Sequence, residues 1–366
     1  MRSFLAFSLA VAAGCGDDLS GPADPMDDGA DQGAAVDTNT AQKVLPEICA
    51  TRTWDSVNYD AKDSVVRAVP TVTGAALFMV PKSGGMLRGF EVDGRGTVIG
   101  DPTGRKIRSD MMFTDLSATR LDDRYIVGLV SNGQVSINAV KDDLTEYREL
   151  AIASGSLVGD QTVVWSRNAR IATTGGAGGM MSTRFDAEWA SMGSTALAHS
   201  VPTSMTTAAY GNDAMVAWST ETTCHLQRVA AGVESTRPYA CKNGRLAVNF
   251  EERGGWMVYE RGASVMIARI EVNGHNPIAN ENLLTRFGTS PRIAFDGAHY
   301  WVSYIDARGD LVVGMVDSTG SLDSAAVEGT QPMHDAYDLA VAAGSAWVFA
   351  LDGNGLGATR LCKVAK

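Results

Sequence analysis

Short apolar runs separated by turn residues fill residues 291–317, where the pattern of this chain is clearest. The runs cover 292–295, 300–305 and 311–316 and are rich in Val, Ile, Tyr and Trp. Asp and Gly residues lie between them. A helix would need apolar residues every three to four positions over about ten residues, and this stretch has no such run. The pattern therefore predicts an antiparallel meander of three strands.

The same unit recurs about every 45 residues along the chain. The third runs of the units can be laid over one another, and their central residues are 41 to 48 positions apart. These residues are Glu91, Ala139, Arg184, Arg228, Arg269, Met315 and Arg360. We interpret the four arginines as side chains that pack their stems between sheets, rather than as an anion-binding ring. A period of this length predicts a repeat protein in which each copy is a small sheet.

The second run of each unit follows a tight-turn signal of Gly, Asn or Asp, the residues that tolerate positive φ. These runs cover 76–80, 125–130, 162–165, 214–218, 256–259, 300–305 and 346–351. Seven copies of three strands, with a looser outer strand between copies, resemble β-propeller families in general. The resemblance implies an all-β fold: a seven-bladed β-propeller over residues 45–366, closed by an N-terminal strand within 47–58. The aromatic residues of the second runs are expected in the blade cores.

The first residues have the order of an export signal. Residues 4–13 form an apolar run that is too short to span a bilayer, and small residues then lead to a cysteine. The Ala-Ala-Gly-Cys sequence at 12–15 resembles the bacterial lipobox. This resemblance implies a lipoprotein signal peptide at 1–14, a lipidated Cys15 and attachment to a membrane; Gly16 favours the outer membrane. The alternative is an ordinary secretory signal in which Cys15 has no role.

Residues 15–44 are predicted to form a disordered acidic tether. They hold seven Asp and no basic residue before Lys43. Gly, Ala, Pro, Ser and Thr fill most of the remainder, so the segment cannot bury enough apolar surface to fold. About half of the net charge of −11 lies here, which leaves the folded part only mildly acidic. A mildly acidic domain without a basic run argues against a nucleic-acid partner.

Four cysteines remain after the lipobox: Cys49, Cys224, Cys241 and Cys362. An even number in an exported chain predicts two disulfides, for which three connectivities exist. Their positions in the repeat favour Cys224–Cys241 within one blade and Cys49–Cys362 between the N-terminal strand and the last third strand. Only this connectivity joins neighbouring strands in both pairs. The alternative is four buried thiols.

The sequence lacks motifs of known chemistry. No two of its five histidines have metal-ligand spacing, and it has no His-Glu-x-x-His, Cys-x-x-Cys, Gly-x-Ser-x-Gly or P-loop sequence. We interpret the glycine cluster at 175–179 as a flexible loop. The Asp-rich turn at 306–310 lacks the acidic residue that closes a calcium loop. The sequence therefore favours a non-enzyme and predicts no catalytic residue, cofactor or metal.

Propellers usually bind ligands on the face that carries the connections between blades and the turns between second and third strands. The predicted ligand face contains Asp110, Arg167, Glu221, Arg261, Arg292, Asp306, Arg308, His334, Asp335 and Asp352. The sequence thus favours a monomeric, lipid-anchored, non-catalytic binding or scaffold protein of the cell envelope, with a protein or glycan ligand. The alternative is an exported hydrolase or lyase acting on glycans or peptides at the central face, because propeller enzymes can assemble sites from scattered residues.

Replacement of Cys15 by serine is expected to abolish lipidation, because serine lacks the thiol that carries the lipid. Metabolic labelling with a palmitate analogue should tag the unaltered protein and a Cys49→Ser control, and both should partition into detergent. Cys15→Ser should do neither. A Cys15→Ser protein that is still labelled would show that the lipobox interpretation is wrong.

Overall fold

A computed structural model describes residues 48–55, 63–121, 123–156, 158–159, 163–166, 169–211, 213–230, 232, 234–249, 254–271, 278–327, 330–333, 335–342, 344–352 and 355–363. The predicted signal peptide at 1–14, the tether at 15–44 and the lipidation site Cys15 lie outside these residues. The described residues form β-strands, turns and bends without a helix. Accordingly, none of these segments is a helix long and apolar enough to cross a membrane.

The strands form seven antiparallel sheets, each of which is one blade. Blade 1 contains β2 (Ser64–Pro70), β3 (Gly74–Pro81), β4 (Gly85–Asp93), β5 (Val98–Ile99) and β6 (Arg105–Phe113). Blade 2 contains β7 (Asp115–Leu121), β8 (Arg124–Ser131), β9 (Gln134–Lys141) and β10 (Tyr147–Ser154). Blade 3 contains β11 (Val163–Ser166), β12 (Ala169–Gly176), β13 (Gly179–Phe185) and β14 (Ser191–Ala198). Blade 4 contains β15 (Ser204–Tyr210), β16 (Asp213–Ser219), β17 (Cys224–Arg228) and β18 (Glu234–Arg237).

The last three blades follow the same order. Blade 5 contains β19 (Lys242–Asn249), β20 (Gly254–Arg261), β21 (Ser264–Glu271) and β22 (Ile278–Thr285). Blade 6 contains β23 (Gly288–Phe295), β24 (Tyr300–Asp306), β25 (Leu311–Val316) and β26 (Leu322–Val327). Blade 7 contains β27 (Tyr337–Ala342), β28 (Ser345–Asp352), β29 (Gly355–Lys363) and, from the other end of the described chain, β1 (Ile48–Asp55).

The first strand of every blade lies innermost. It pairs with the second strand on one side only, whereas its neighbours in space are the first strands of the adjacent blades. These contacts run from β2 through β7, β11, β15, β19, β23 and β27 and return to β2. The predicted seven-bladed propeller is therefore confirmed, and its ring is closed.

An N-terminal strand completes blade 7, as predicted. β1 pairs antiparallel with β29, and this register places Cys49 opposite Cys362. Directly opposed residues in such a pair have α-carbons about 4.5–5.5 Å apart, which is within the range that a disulfide spans. The closing strand is confirmed, while the bond between the two sulfur atoms stays a prediction.

Blade 3 departs from the predicted register. Residues 162–165 were expected to hold its second strand, but β11 begins at Val163 and is the innermost strand, paired only with β12. The second strand is β12, whose sequence ends in Thr-Thr-Gly-Gly. Thr173 and Thr174 are nevertheless buried. The strand was missed because its buried positions carry small or polar side chains, and the predicted glycine loop is its hairpin with β13.

Apolar cores lie between neighbouring blades. One joins blades 7 and 1, for example, through Trp347, Phe349, Leu77 and Phe90. The tryptophans of the second strands of blades 5, 6 and 7 each pair with an alanine of the first strand and are at most 6% exposed. Their placement in the blade cores confirms the interpretation made from the sequence, except for Trp165, whose side chain lies outside the described part.

The Cys224–Cys241 disulfide is present, with α-carbons 5.6 Å apart. The sequence had suggested that this bond lies within a single blade, and that part of the prediction is wrong. Cys224 begins β17 in blade 4, whereas Cys241 follows the outer strand of that blade and immediately precedes β19. The bond therefore fastens blade 4 to the start of blade 5, and both cysteines are buried.

Loss of the closing cross-link is expected to cost more stability than loss of the local one. Chain-entropy models give about 3 kcal/mol for a loop of about 15 residues and nearly 5 kcal/mol for one above about 100. Cys362→Ser should therefore lower the melting temperature further than Cys224→Ser, measured by thermal unfolding under non-reducing conditions. Peptide mapping provides the direct check, since a peptide linking Cys49 to Cys224 or to Cys241 would contradict the closure.

Candidate functional site

The structure describes eight of the ten residues predicted for the ligand face; Arg167 and His334 lie outside the described part. Two pairs among them are in contact: Asp306 with Arg308 inside one turn, and Arg292 with Asp335, which are distant in sequence. Asp335 lies on the connection from blade 6 to blade 7, and its Oδ1 accepts a hydrogen bond from Arg292 Nη2 at 2.9 Å. Arg292 belongs to β23 and is 2% exposed. These two residues are the centre of a cluster of charges at the propeller axis.

Other cations surround Asp335. Lys82, in the turn between β3 and β4, places its Nζ 2.9 Å from Oδ2, and Arg245 Nη2 lies 3.9 Å from Oδ1. Arg67, which is buried in β2, also acts on this carboxylate electrostatically. The cluster thus joins side chains of blades 1, 5 and 6 to the segment that leads into blade 7.

Asp338 is the second carboxylate of the cluster. Its Oδ2 accepts a hydrogen bond from the Ala68 amide of blade 1 at 2.8 Å, and its Oδ1 accepts one from the Leu339 amide at 3.0 Å. Arg292 Nε lies 3.6 Å from Oδ1. The first strands have no partner strand on their inner edge. This carboxylate therefore accepts the hydrogen bonds that backbone carbonyl oxygens of a neighbouring strand would otherwise accept.

Four charged residues of the cluster occupy one position of the repeat. Each stands two residues before the residue that pairs with one equivalent position of the second strand, which is Ala76, Trp256, Trp301 or Trp347; the four are Arg67, Arg245, Arg292 and Asp338. In sequence they begin Arg-Ala-Val, Arg-Leu-Ala, Arg-Ile-Ala and Asp-Leu-Ala. Of these four, the sequence pattern indicated only Arg292 as a site residue. Aligning the first runs as well as the second and third would have revealed the other three.

Burial and charge oppose each other at Asp335. Burial alone would raise the pKa of its carboxyl, but Arg292, Arg67 and Arg245 and the hydrogen bond from Lys82 hold the pKa well below its usual range. Asp115, at the start of β7, behaves differently. Burial raises its pKa to about 6, against the opposing charge of Arg67 and with a contribution from the negative charge of Asp335. The same end of the axis therefore carries one firmly ionised carboxylate and one weaker acid.

A third carboxylate ties blade 5 to blade 6. Glu260, which is 7% exposed, accepts hydrogen bonds from Asn243 Nδ2 at 2.7 Å, Thr289 Oγ1 at 2.7 Å and the Ser290 amide at 2.5 Å. Ser290 has a positive φ of 54°, a conformation that this bond helps to hold. Glu260 therefore has a structural role between blades.

The remaining predicted residues are spread over the face and are not brought together. Asp110 pairs with Arg108 at 2.8 Å, Arg261 pairs with Glu281, and Glu221 is exposed in a turn of blade 4. Asp352 ends β28 in blade 7. None of these lies in the cluster around Asp335, so the ten-residue face does not form one site.

The Asp-rich turn of blade 6 uses its carboxylate locally. Asp306 Oδ1 accepts hydrogen bonds from the amides of Arg308 at 2.8 Å and Asp310 at 3.0 Å. The Arg308 side chain lies 3.2 Å from Asp306 and 3.3 Å from Asp310. These residues stabilise the turn itself, in the manner common for Asp at turn positions.

Blade 4 carries a hydrogen-bonded histidine that the sequence did not reveal. His225 Nδ1 lies 2.7 Å from Glu234 Oε1, which can only accept, so Nδ1 carries the proton and Nε2 accepts from Thr223 Oγ1 at 2.6 Å. The imidazole ring stacks on Trp218. This order resembles a nucleophile–base–acid line, but the adjoining cavity of about 10 Å³ is far too small for a substrate. We assign it to holding the turn before β17.

A channel of about 320 Å³ runs along the axis, lined by the first strands. Arg245, Arg292 and Asp338 stand at the end where those strands begin, and they are buried. Pro70 and Phe295 stand at the end where the strands finish, and Pro70 is exposed. The channel is therefore accessible from the face opposite the predicted ligand face.

Solved structures share this fold. The WD40 domain of Toxoplasma gondii coronin is similar with a TM-score of 0.62 and 10% identity, over 88% of each chain. YCF48 from Cyanidioschyzon merolae is similar with a TM-score of 0.52 and 12% identity, over 84% of this chain and 98% of that one. No protein-family model matches the chain, and no curated protein matches it in sequence. At such identities the likeness supports the propeller fold alone.

Removing the charge of Asp335 is expected to destabilise the propeller by about 3–5 kcal/mol, because Asp335→Asn removes a carboxylate that several buried cations share. Since the folded-state pKa of Asp335 is depressed, its contribution to stability is present above the ordinary aspartate pKa of 3.8 and is lost as the pH falls below that value. The stability difference between the two proteins, measured by urea unfolding, should therefore shrink between pH 5 and pH 2. Asp110→Asn, which removes an exposed partner of Arg108, is the control and should change little. A difference that stays constant with pH would contradict the assignment.

Proposed function

We propose that this chain is exported, anchored in the envelope by a lipid on Cys15, and acts as a non-catalytic binding or scaffold protein. The propeller fold provides a rigid platform of a kind that commonly serves binding. The lipobox-like sequence at 12–15 and the acidic residues that follow support the anchor and the tether.

The main support for a non-catalytic role is that the charged side chains at the axis are already paired or hydrogen-bonded within the protein. Asp335 is held ionised by surrounding cations, and both oxygens of Asp338 accept hydrogen bonds. Glycoside hydrolysis needs a proton-donating carboxyl and a second carboxylate facing the substrate. Among the described residues that line the channel, Asp338 is the sole carboxylate. The charges at the axis thus support the ring rather than a reaction.

Exposed apolar side chains on the predicted ligand face support a protein partner. Met112 is 63% exposed, Val201 56%, Phe287 62% and Met333 49%. All four stand at or beside connections between successive blades, and therefore on the same side of the ring. Large apolar side chains that remain exposed on one side of a domain are typical of protein-interaction surfaces.

One observation favours the alternative of an enzyme. Asp115 and Asp335 interact electrostatically at the same end of the axis, and their pKa values are pushed in opposite directions. Such a pair is typical of acid–base assignments in active sites. However, neither residue lines the channel, and Asp115 Oδ1 accepts a hydrogen bond from the Leu116 amide at 2.8 Å.

Truncation of the exposed apolar residues tests whether a protein partner binds on the predicted ligand face. The double variant Phe287→Ser/Met333→Ser is expected to lose a partner that the unaltered mature protein retains from solubilised envelopes, because the apolar contact area is removed. Ile152→Ser/Leu283→Ser, on outer strands, is the matched control and should retain the partner. Equal retention by both double variants would show that the partner binds elsewhere.

Turnover assays test the alternative directly. A panel of glycoside and peptide substrates should show no hydrolysis or elimination by the unaltered protein, at pH values on both sides of 6. Turnover that disappears in Asp115→Asn would instead establish the enzyme and refute the non-catalytic role.

A further inference from the structure

The inner edges of the first strands present backbone amides to the channel. In blade 1 the Val66 amide donates to the Asp335 carbonyl oxygen at 2.9 Å, and the Ala68 amide donates to the Asp338 side chain. Both groups point away from the partner strand, as expected for alternate residues of an edge strand. Pro70, two residues further, has no amide hydrogen and falls at the same inward position. The inward positions of β2 are therefore fixed by direct contacts.

Asp338 shows how a carboxylate binds to these edges. One of its oxygens accepts from the next residue of its own strand, Leu339, and the other accepts from Ala68 in the next blade. Arg292 adds a positive charge 3.6 Å away. Two edge amides and a guanidinium thus form a carboxylate site that the chain occupies with its own side chain.

The repeat places a second set of the same groups between blades 5 and 6. Arg245 stands at the position of Asp338, Leu246 at that of Leu339, and Ile293 at that of Ala68. All three line the channel. Here the chain offers a guanidinium in place of a carboxylate, and a guanidinium has no acceptor atom for the two amides.

We propose that the axial channel binds the carboxylate of a small acidic ligand at this place, with the amides of Leu246 and Ile293 as donors and Arg245 as the counter-charge. The site is separate from the face proposed for a protein partner, because the channel is accessible from the opposite side of the ring. The ligand carboxylate lies between blades 5 and 6, in the place equivalent to that of the Asp338 carboxylate between blades 7 and 1.

Charge and size in the channel agree with such a ligand. Two arginines and one aspartate line it. The Arg245 guanidinium already donates to the Gly244 carbonyl oxygen at 3.0 Å and lies 3.9 Å from Asp335, so it is held in place before a ligand arrives. The volume of about 320 Å³ suits one short organic acid, or one acidic side chain or carboxyl terminus of a peptide.

Amide chemical shifts of the isotope-labelled mature protein provide the test. Acetate, glutarate and a short peptide ending in glutamate are titrated separately. We expect saturable shifts of the Leu246 and Ile293 amides with at least one probe, while the amides of Ala68 and Leu339, already bonded to Asp338, serve as the internal control and shift little. Saturation by acetate or glutarate assigns a free acid as the ligand, whereas saturation by the peptide alone assigns a peptide carboxylate.

Two variants separate the site from general charge effects. Arg245→Gln removes the counter-charge and should weaken binding at least tenfold, whereas Arg269→Gln removes an exposed arginine of the same blade and should leave it unchanged. The folding of both is checked by the dispersion of the same spectra. The proposal is overturned if no probe gives saturable shifts in the unaltered protein, or if Arg245→Gln and Arg269→Gln bind alike. Either result leaves the partner test on the opposite face unaffected.

Discussion

In a propeller the inner edge of each first strand has no partner strand. Many of the polar contacts at the axis follow from this constraint. Backbone amides that face the axis must find acceptors inside the ring, because a buried amide without one costs as much as a lost hydrogen bond. The chain supplies carboxylates for this purpose. Asp338 serves the amides of Ala68 and Leu339, and Asp115 serves that of Leu116. The polar groups at the axis are thus a consequence of the architecture.

Carboxylates placed at the axis require cations in turn, since an unpaired buried charge is costly. Arg292, Arg245, Arg67 and Lys82 meet this need around Asp335, and they come from three different blades. A buried ion cluster of this kind contributes less to net stability than to the choice of one arrangement, because desolvation offsets most of its attraction. We infer that it helps to fix the relative positions of the blades that it joins.

Local sequence pattern predicted the strands and the number of blades because alternating apolar runs and turn residues are short-range signals. It failed at β12, where Thr173 and Thr174 fill buried positions that apolar residues fill elsewhere. It also indicated Arg292 and Asp335 as candidates but missed Arg67 and Arg245. An arginine within a strand is ordinarily solvent-exposed, and only the convergence of distant blades on the axis makes these residues buried.

The common chain direction of the blades makes the two faces of the ring chemically different. The first strands run in the same direction along the axis, from the end that holds the ion cluster towards the exposed mouth of the channel. β1 lies at the outer edge of blade 7, at the rim of the ring rather than at its axis. The position of the closing strand is thus compatible with a partner on one face and a small ligand entering from the other.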